Sequence, residues 1–235
     1  MKIAHFHFPP GLRLLLPLEK RDDGFELSFR GPQSIKHLIE SMGVPHTEIG
    51  GAMVNEESAG LGYIVHDGDR IEVQEEAPEI CQVEPRFILD GHLGRLAAHL
   101  RMLGLDCLYR HDYNDSELAK VSAEEDRILL TRDRRLLMQK IVTRGRLLRS
   151  LDPDEQLREV IRRYQLVQWI KPFRRCLRCN HPLEAVEKEA VLERLEPLTR
   201  LYFDDFRICP ACGQIYWKGS HYEKMQKVIE ELQKI

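Results

Sequence analysis

The chain has 235 residues, 43% hydrophobic and 31% charged, with a formal net charge of −3. This is a globular composition sized for one or two domains and a small appendage. No stretch approaches the roughly 18 to 20 apolar residues of a membrane helix, which excludes a spanning segment. The start, Met1 to Phe6, has no long apolar run, so a secretory signal is not expected and a cytoplasmic location is. Charge is uneven along the chain. Residues 1–78 carry 7 Lys/Arg against 13 Asp/Glu, whereas residues 86–180 carry 20 against 13. Such contrast suggests distinct domains and makes the basic part a candidate for nucleic acid, although a solvated Arg-rich surface gives the same count.

Taken in order, residues 1–78 predict a small mixed β domain. Ala4–Phe8 and Phe25–Phe29 alternate apolar and polar residues as strands do. Ser34 is placed to cap a helix with Ile35, Leu38 and Ile39 on one face. Ala52–Asn55 reads as a third strand, and Asp67-Gly68-Asp69 as a turn before a last strand around Ile71–Val73. This order resembles the β-grasp fold of ubiquitin-like sulfur carriers. Such carriers act through a terminal Gly-Gly, however, and here the strand runs on into Gln74-Glu75-Glu76-Ala77-Pro78. An interaction module for a protein partner is therefore expected rather than a carrier.

A proline-bounded linker leads into residues 86–170, where apolar runs alternate with amphipathic stretches in the βαβ manner. Strands are expected at 86–90, 105–109 and 128–130, with a fourth short one near Leu147-Leu148. The helix between the first two carries Leu93, Leu96, Ala97, Leu100 and Leu103 at helical spacing, and Gly104 is its natural C-cap. A second helix begins at Asn114 or Asp115, a third spans about 134–141, and Asp152-Pro153 opens a fourth. Residues 172–222 are Arg-rich loops with paired cysteines, and residues 223–235 predict a terminal helix on the spacing of Met225, Val228, Ile229 and Leu232.

Cys176-x-x-Cys179 and Cys209-x-x-Cys212 stand roughly 30 residues apart, the spacing of a closed Zn(Cys)4 site with a structural role. A redox pair would need only one such motif. His181 or His221 could replace a cysteine, but four thiolates are simpler. Asn180 and Gly213 follow the second cysteine of each pair and tolerate the positive φ that a tight knuckle needs. Nearby Arg174, Arg175, Arg178, Tyr216, Trp217 and Tyr222 could contact nucleic acid or fill the module's core. The lone Cys107 reads as a small core residue.

The remaining chemistry is carboxylate: Asp90, Asp106, Asp112, Asp115, Glu117 and Asp133. Asp90 ends one predicted buried strand and Asp133 follows another, which is where open α/β sheets bind ligands. Oxygen ligands of this kind suit Mg2+ or Mn2+, and such ions support phosphodiester hydrolysis. Asp115 and Asp133 also have an ordinary reading as helix caps.

Three runs together, Asp90-Gly91-His92-Leu93-Gly94-Arg95-Leu96, Asp115-Ser116-Glu117-Leu118 and Leu130-Thr131-Arg132-Asp133-Arg134-Arg135-Leu136, resemble the PIN-like RNase family named for the C-terminal domain of the Mut-seven exonuclease. That family joins a PIN-like parallel-sheet fold to a zinc ribbon like the one at Cys176–Tyr222, and some members carry an amino-terminal ubiquitin-like domain. The resemblance implies a Mg2+/Mn2+-dependent ribonuclease with Asp90, Asp115 and Asp133 at the acidic positions. It leaves the fourth acid among Glu117, Asp112 and Asp152. Arg95, Arg132, Arg134 and Arg135 are the expected RNA contacts, and Thr131 the support of Asp133. The alternative is a non-catalytic RNA- or ribosome-associated module that uses the basic face and the ribbon. A haloacid-dehalogenase-like phosphotransferase is weaker, since Asp90-Gly91-His92 lacks the second aspartate two residues on.

Overall fold

The computed structural model describes residues 1–219 together with Tyr222, Gln226, Ile229 and Glu230. In chain order the elements are β1 (Lys2–His7), α1 (Pro10–Arg13), β2 (Phe25–Phe29), α2 (Ile35–Ser41), β3 (Ile49–Val54), β4 (Glu57–Ala59) and β5 (Arg70–Glu75). They continue with β6 (Arg86–Leu89), α3 (Gly94–Met102), β7 (Asp106–Tyr109), α4 (Asp115–Glu124), β8 (Ile128–Thr131), α5 (Arg134–Leu137), β9 (Gly145–Leu147) and α6 (Pro153–Arg163). The last are β10 (Glu184–Val186), α7 (Lys188–Val191), α8 (Pro197–Tyr202), β11 (Phe206–Ile208) and β12 (Ile215–Trp217). Among the described residues no helix is long and apolar enough to cross a membrane. The helix expected over 223–235 falls largely outside the described residues.

The chain forms two compact units. The first comprises Met1–Ala77 and Asp115–Leu147. Its five-stranded sheet has the order β2-β1-β5-β3-β4, with β1 parallel to β5 and the other pairs antiparallel, the β-grasp arrangement. Alternation along β1 sends Ala4 and Phe6 inward and His5 and His7 outward. Ser34 caps α2 by accepting from the His37 N–H, and Ile35, Leu38 and Ile39 of that helix are buried. A bulge between Ile49 and Gly51 brings strand β5 so near that a Cβ on Gly50 would sit 2.9 Å from the Glu75 carbonyl oxygen. In the same unit β8 and β9 pair in parallel, Thr131 opposite Leu147, and all four β8 residues are buried. Full burial on both faces is why this strand reads as an unbroken apolar run. The helix expected over 134–141 ends at Leu137. Beyond it the chain tightens into turns, the Gln139 N–H donating to the Leu136 carbonyl (3.3 Å) and the Val142 N–H to the Gln139 carbonyl (3.0 Å), each three residues back instead of the four of an α-helix.

The second unit comprises Pro78–Asn114 and Leu148–Ile235. Here β6 and β7 pair in parallel from Arg86↔Asp106 to Leu89↔Tyr109. Helix α3 buries Leu96, Ala97, Leu100, Arg101 and Met102, and Gly104 ends it with φ +88°. A side chain at Gly104 would collide with the Lys171 carbonyl. Asp152 caps α6, accepting from the N–H groups of Asp154 and Glu155. The strands β10, β11 and β12 form a small antiparallel sheet over a core of Val191, Leu195, Phe206 and Ile215.

Candidate active site and metal centre

The two cysteine pairs fold into matched knuckles. The Asn180 N–H donates to the Cys176 carbonyl (2.9 Å) and the Gly213 N–H to the Cys209 carbonyl (2.8 Å). Each donor sits in the left-handed region, Asn180 at φ +70° and Gly213 at φ +71°, as the turn requires. The four sulfurs all lie within 4.8 Å of one another. The nearest pairs are Cys176–Cys212 at 3.5 Å and Cys179–Cys209 at 3.4 Å. A tetrahedron of Zn–S bonds near 2.3 Å would put sulfurs about 3.8 Å apart, so the cage fits zinc.

The electrostatics point the same way. Burial opposes ionisation of Cys176, but the Tyr216 hydroxyl and the N–H groups of Cys179 and Arg178 outweigh it and bring that thiol down to about 6. Burial pushes Cys179 up to about 12, with the neighbouring thiols of Cys209, Cys176 and Cys212 adding to it. For Cys212 the Gln214 N–H favours the thiolate, yet burial and the Cys176 and Cys209 thiols raise it. Cys179 and Cys212 are thus held toward the protonated form beside a Cys176 that favours the thiolate, and a divalent cation would draw all four sulfurs to the thiolate form.

Two contacts around this cage were missed from the sequence. Tyr216 accepts from the Leu177 N–H (3.0 Å), which directs its own proton to Cys176 Sγ at 3.2 Å. The Asn180 side chain reaches back to β7: Oδ1 accepts from the buried Cys107 N–H (3.0 Å) and Nδ2 donates to Asp106 Oδ1 (2.9 Å). Arg101, 3% exposed, completes the join by donating from Nε to the Cys107 carbonyl and from Nη1 to the carbonyls of Leu177 and Arg178. Asparagine rather than glycine at Asn180 was the available signal, since glycine would satisfy the backbone alone. His181 is exposed and lends the knuckle its carbonyl, to the Cys176 N–H. His221 lies outside the described residues. Trp217 is exposed, and Phe173 and Tyr222 pack ring to ring at 4.2 Å.

The acids are placed one by one, each by its own element. Asp90 follows β6 and is half-buried, and its Oδ1 accepts from the His92 N–H at 2.8 Å. Close packing fixes this bend, because a Cβ on Gly91 would lie 2.7 Å from the His111 carbonyl oxygen. The Tyr109 hydroxyl donates to the Gly91 carbonyl at 3.0 Å. Asp112 is exposed and held by Arg110 through two bonds of 3.0 and 2.9 Å, which lower its pKa. Asp106 is occupied by Asn180 and by Arg175, whose guanidinium lies 3.5 Å away, and Asp152 is the α6 cap.

In the first unit, Asp115 is exposed at the start of α4 and Glu117 half-buried in the same turn. Asp133 caps α5: its Oδ1 accepts from the Arg135 N–H at 2.7 Å, and its own N–H donates to Thr131 Oγ1 at 2.9 Å. The cap and the Thr131 contact together hold the carboxylate beyond the end of β8. Of the four expected RNA contacts, Arg95, Arg132 and Arg135 are exposed. Arg134 is not: its Nη1 donates to the carbonyls of Leu15 (2.6 Å) and Gly43 (3.4 Å). Nothing in the local sequence separates it from its neighbours, because its acceptors lie about a hundred residues away.

Residues 85–229 match the family described as Mut7-C RNAse domain, and residues 1–80 match the one described as Mut7-C ubiquitin. No curated protein and no solved structure matches the chain.

Proposed function

The chain belongs to the Mut7-C RNAse domain family, and from that premise we propose that it is a cytoplasmic, metal-dependent ribonuclease that hydrolyses RNA phosphodiester bonds. The observation that carries the reading is the pair of strand-end aspartates inside the matched region. Asp90 is held by its turn after β6, and Asp133 is held as a cap after β8. Asp90, Asp115 and Asp133, with Glu117 as the fourth acid, would hold Mg2+ or Mn2+, whose preference for oxygen ligands they meet. Cations held there would lower the pKa of water toward neutrality and offset negative charge on the leaving oxygen. Thr131 keeps Asp133 oriented through the Asp133 N–H. Arg95, Arg132 and Arg135 offer exposed guanidinium groups to phosphates. The products would carry 5′-phosphate and 3′-hydroxyl ends. The four cysteines would hold a structural zinc, with no open position for chemistry.

The test is cleavage of labelled single-stranded and structured RNA in Mn2+ by the wild-type protein, Asp90→Asn and Asp133→Asn. Cleavage by wild type and its loss in both variants supports the reading. Equal cleavage by all three refutes the site. Binding without cleavage by all three, with a steep salt dependence, would mean an RNA-binding module instead.

A further inference from the structure

The first unit contains a set of polar contacts that a freely moving β-grasp domain would not need. Glu48 is fully buried at 0% exposed. Its Oε2 accepts from Arg146 Nη1 (2.7 Å) and its Oε1 from the Leu147 N–H (2.8 Å), both at strand β9. The ring of His46 spans Glu40 Oε1 (2.7 Å, from Nδ1) and the Val142 carbonyl (2.9 Å, from Nε2). Arg134 reaches the Leu15 and Gly43 carbonyls. Gly43 has φ +90°, and a Cβ there would lie 3.5 Å from Arg134 Nη1.

These contacts grip residues 134, 142, 146 and 147. Residue 134 is next to Asp133, and Leu147 is the strand partner of Thr131, whose hydroxyl accepts from the Asp133 N–H. The β-grasp residues therefore hold the Thr131–Asp133 corner from both sides, at the helix that follows it and at the strand beside it. A buried ion pair such as Glu48–Arg146 contributes little net stability against well-packed apolar residues, but it fixes register. Register is what a metal-ligating carboxylate requires, since ligand orientation depends on the contacts behind it.

We propose that the ubiquitin-like domain is a built-in clamp on the carboxylate corner, with Arg134 and Glu48 as positioning residues for Asp133. The part of this that assigns Asp133 to metal rests on the nuclease reading above; the grip itself does not. It also reassigns Arg134, which neighbouring charges suggested as an RNA contact.

The experiment uses the full-length, zinc-loaded protein, wild type beside Arg134→Ala, Arg134→Lys and Glu48→Gln, at a temperature where all are folded. Asn180→Gly, in the other unit, serves as a control for general destabilisation. Amide hydrogen exchange over residues 128–137, Mn2+ binding by electron paramagnetic resonance, and cleavage are read together. For Arg134→Ala the clamp predicts exchange faster by about tenfold over 128–137 but not in β10–β12. It predicts Mn2+ affinity and the Mn2+ midpoint of cleavage weakened by about tenfold, with KM for RNA within about twofold. Arg134→Lys, which can still donate to a carbonyl, recovers much of both, and Glu48→Gln gives the same pattern at smaller amplitude. Unchanged exchange over 128–137 overturns the clamp, as does a raised KM for RNA with an unchanged Mn2+ midpoint, which would make Arg134 a phosphate contact. If the wild type binds no Mn2+ and cleaves nothing, the nuclease reading fails while the exchange data still decide whether the grip exists.

Discussion

The join between the first cysteine knuckle and strand β7 gives a prediction whose size follows from its parts. Asn180 is 6% exposed and serves both backbone and side chain. Replacing it by alanine puts a Cβ-bearing residue without a local hydrogen bond at φ +70°, which costs about 1 to 2 kcal/mol. It also leaves the Cys107 N–H, in a residue 0% exposed, without its acceptor, a loss of about 1 to 3 kcal/mol. The bond to Asp106 adds about 1 kcal/mol. Asn180→Ala should therefore destabilise the second unit by about 4 kcal/mol, and Asn180→Gly, which escapes the conformational penalty, by about 1 kcal/mol less. Urea unfolding of the zinc-loaded protein, followed by tryptophan fluorescence, reads this unit directly, because both tryptophans, Trp169 and Trp217, lie in it. With a slope of about 2 to 3 kcal/mol per molar urea, the alanine midpoint should fall by about 1.5 M. Identical midpoints for alanine and glycine would refute the backbone argument. Wild-type midpoints for both would refute the join itself.

Other outcomes follow from the same contacts. Glu48→Ala takes one carboxylate partner from the Arg146 guanidinium and leaves the Leu147 N–H without its acceptor; a loss of about 2 kcal/mol or more is expected, measured by hydrogen exchange because both tryptophans lie in the other unit. A loss under about 0.5 kcal/mol would mean the pair is solvated. Zinc affinity should rise with pH. Cys179 and Cys212 are both raised, so they hold protons at pH 7 that zinc must displace, whereas Cys176, at about 6, is already largely thiolate. Chelator competition between pH 6.5 and 7.5 should show at least about two decades of change, one for each proton displaced from Cys179 and Cys212, and a flat profile would contradict the four-thiolate cage. Cys209→Ser should lower bound zinc well below one per chain, as read by metal analysis.

The parts of this protein that are local in sequence were legible there. The C-x-x-C spacings, the positive φ of Asn180 and Gly213, the Ser34 and Asp152 caps and the Gly104 helix end each depend on a few consecutive residues. The strand runs around Ile88 and Leu129 were visible because a strand buried on both faces is apolar throughout. The long-range partnerships were not. Glu48 looks like a surface residue of a turn until Arg146, 98 positions on, is brought to it. Arg134 is one of three arginines around Asp133, and only its carbonyl partners in the β-grasp residues set it apart. The segment between the cysteine pairs reads as loops, yet it supplies β10, α7, α8 and β11, elements of three to six residues too short to show a period.

The central claim, hydrolysis of RNA by carboxylate-held cations, is most directly tested by the metal requirement and product ends of a single cleavage assay. Zinc-loaded protein freed of other metals is mixed with labelled single-stranded RNA, with and without Mn2+, and the products are treated with an exonuclease that requires a 5′-phosphate. The account predicts cleavage only when Mn2+ is added, fragments with 5′-phosphate ends, and loss of both in Asp90→Asn. Cleavage without added Mn2+, or products ending in a 2′,3′-cyclic phosphate, would contradict it.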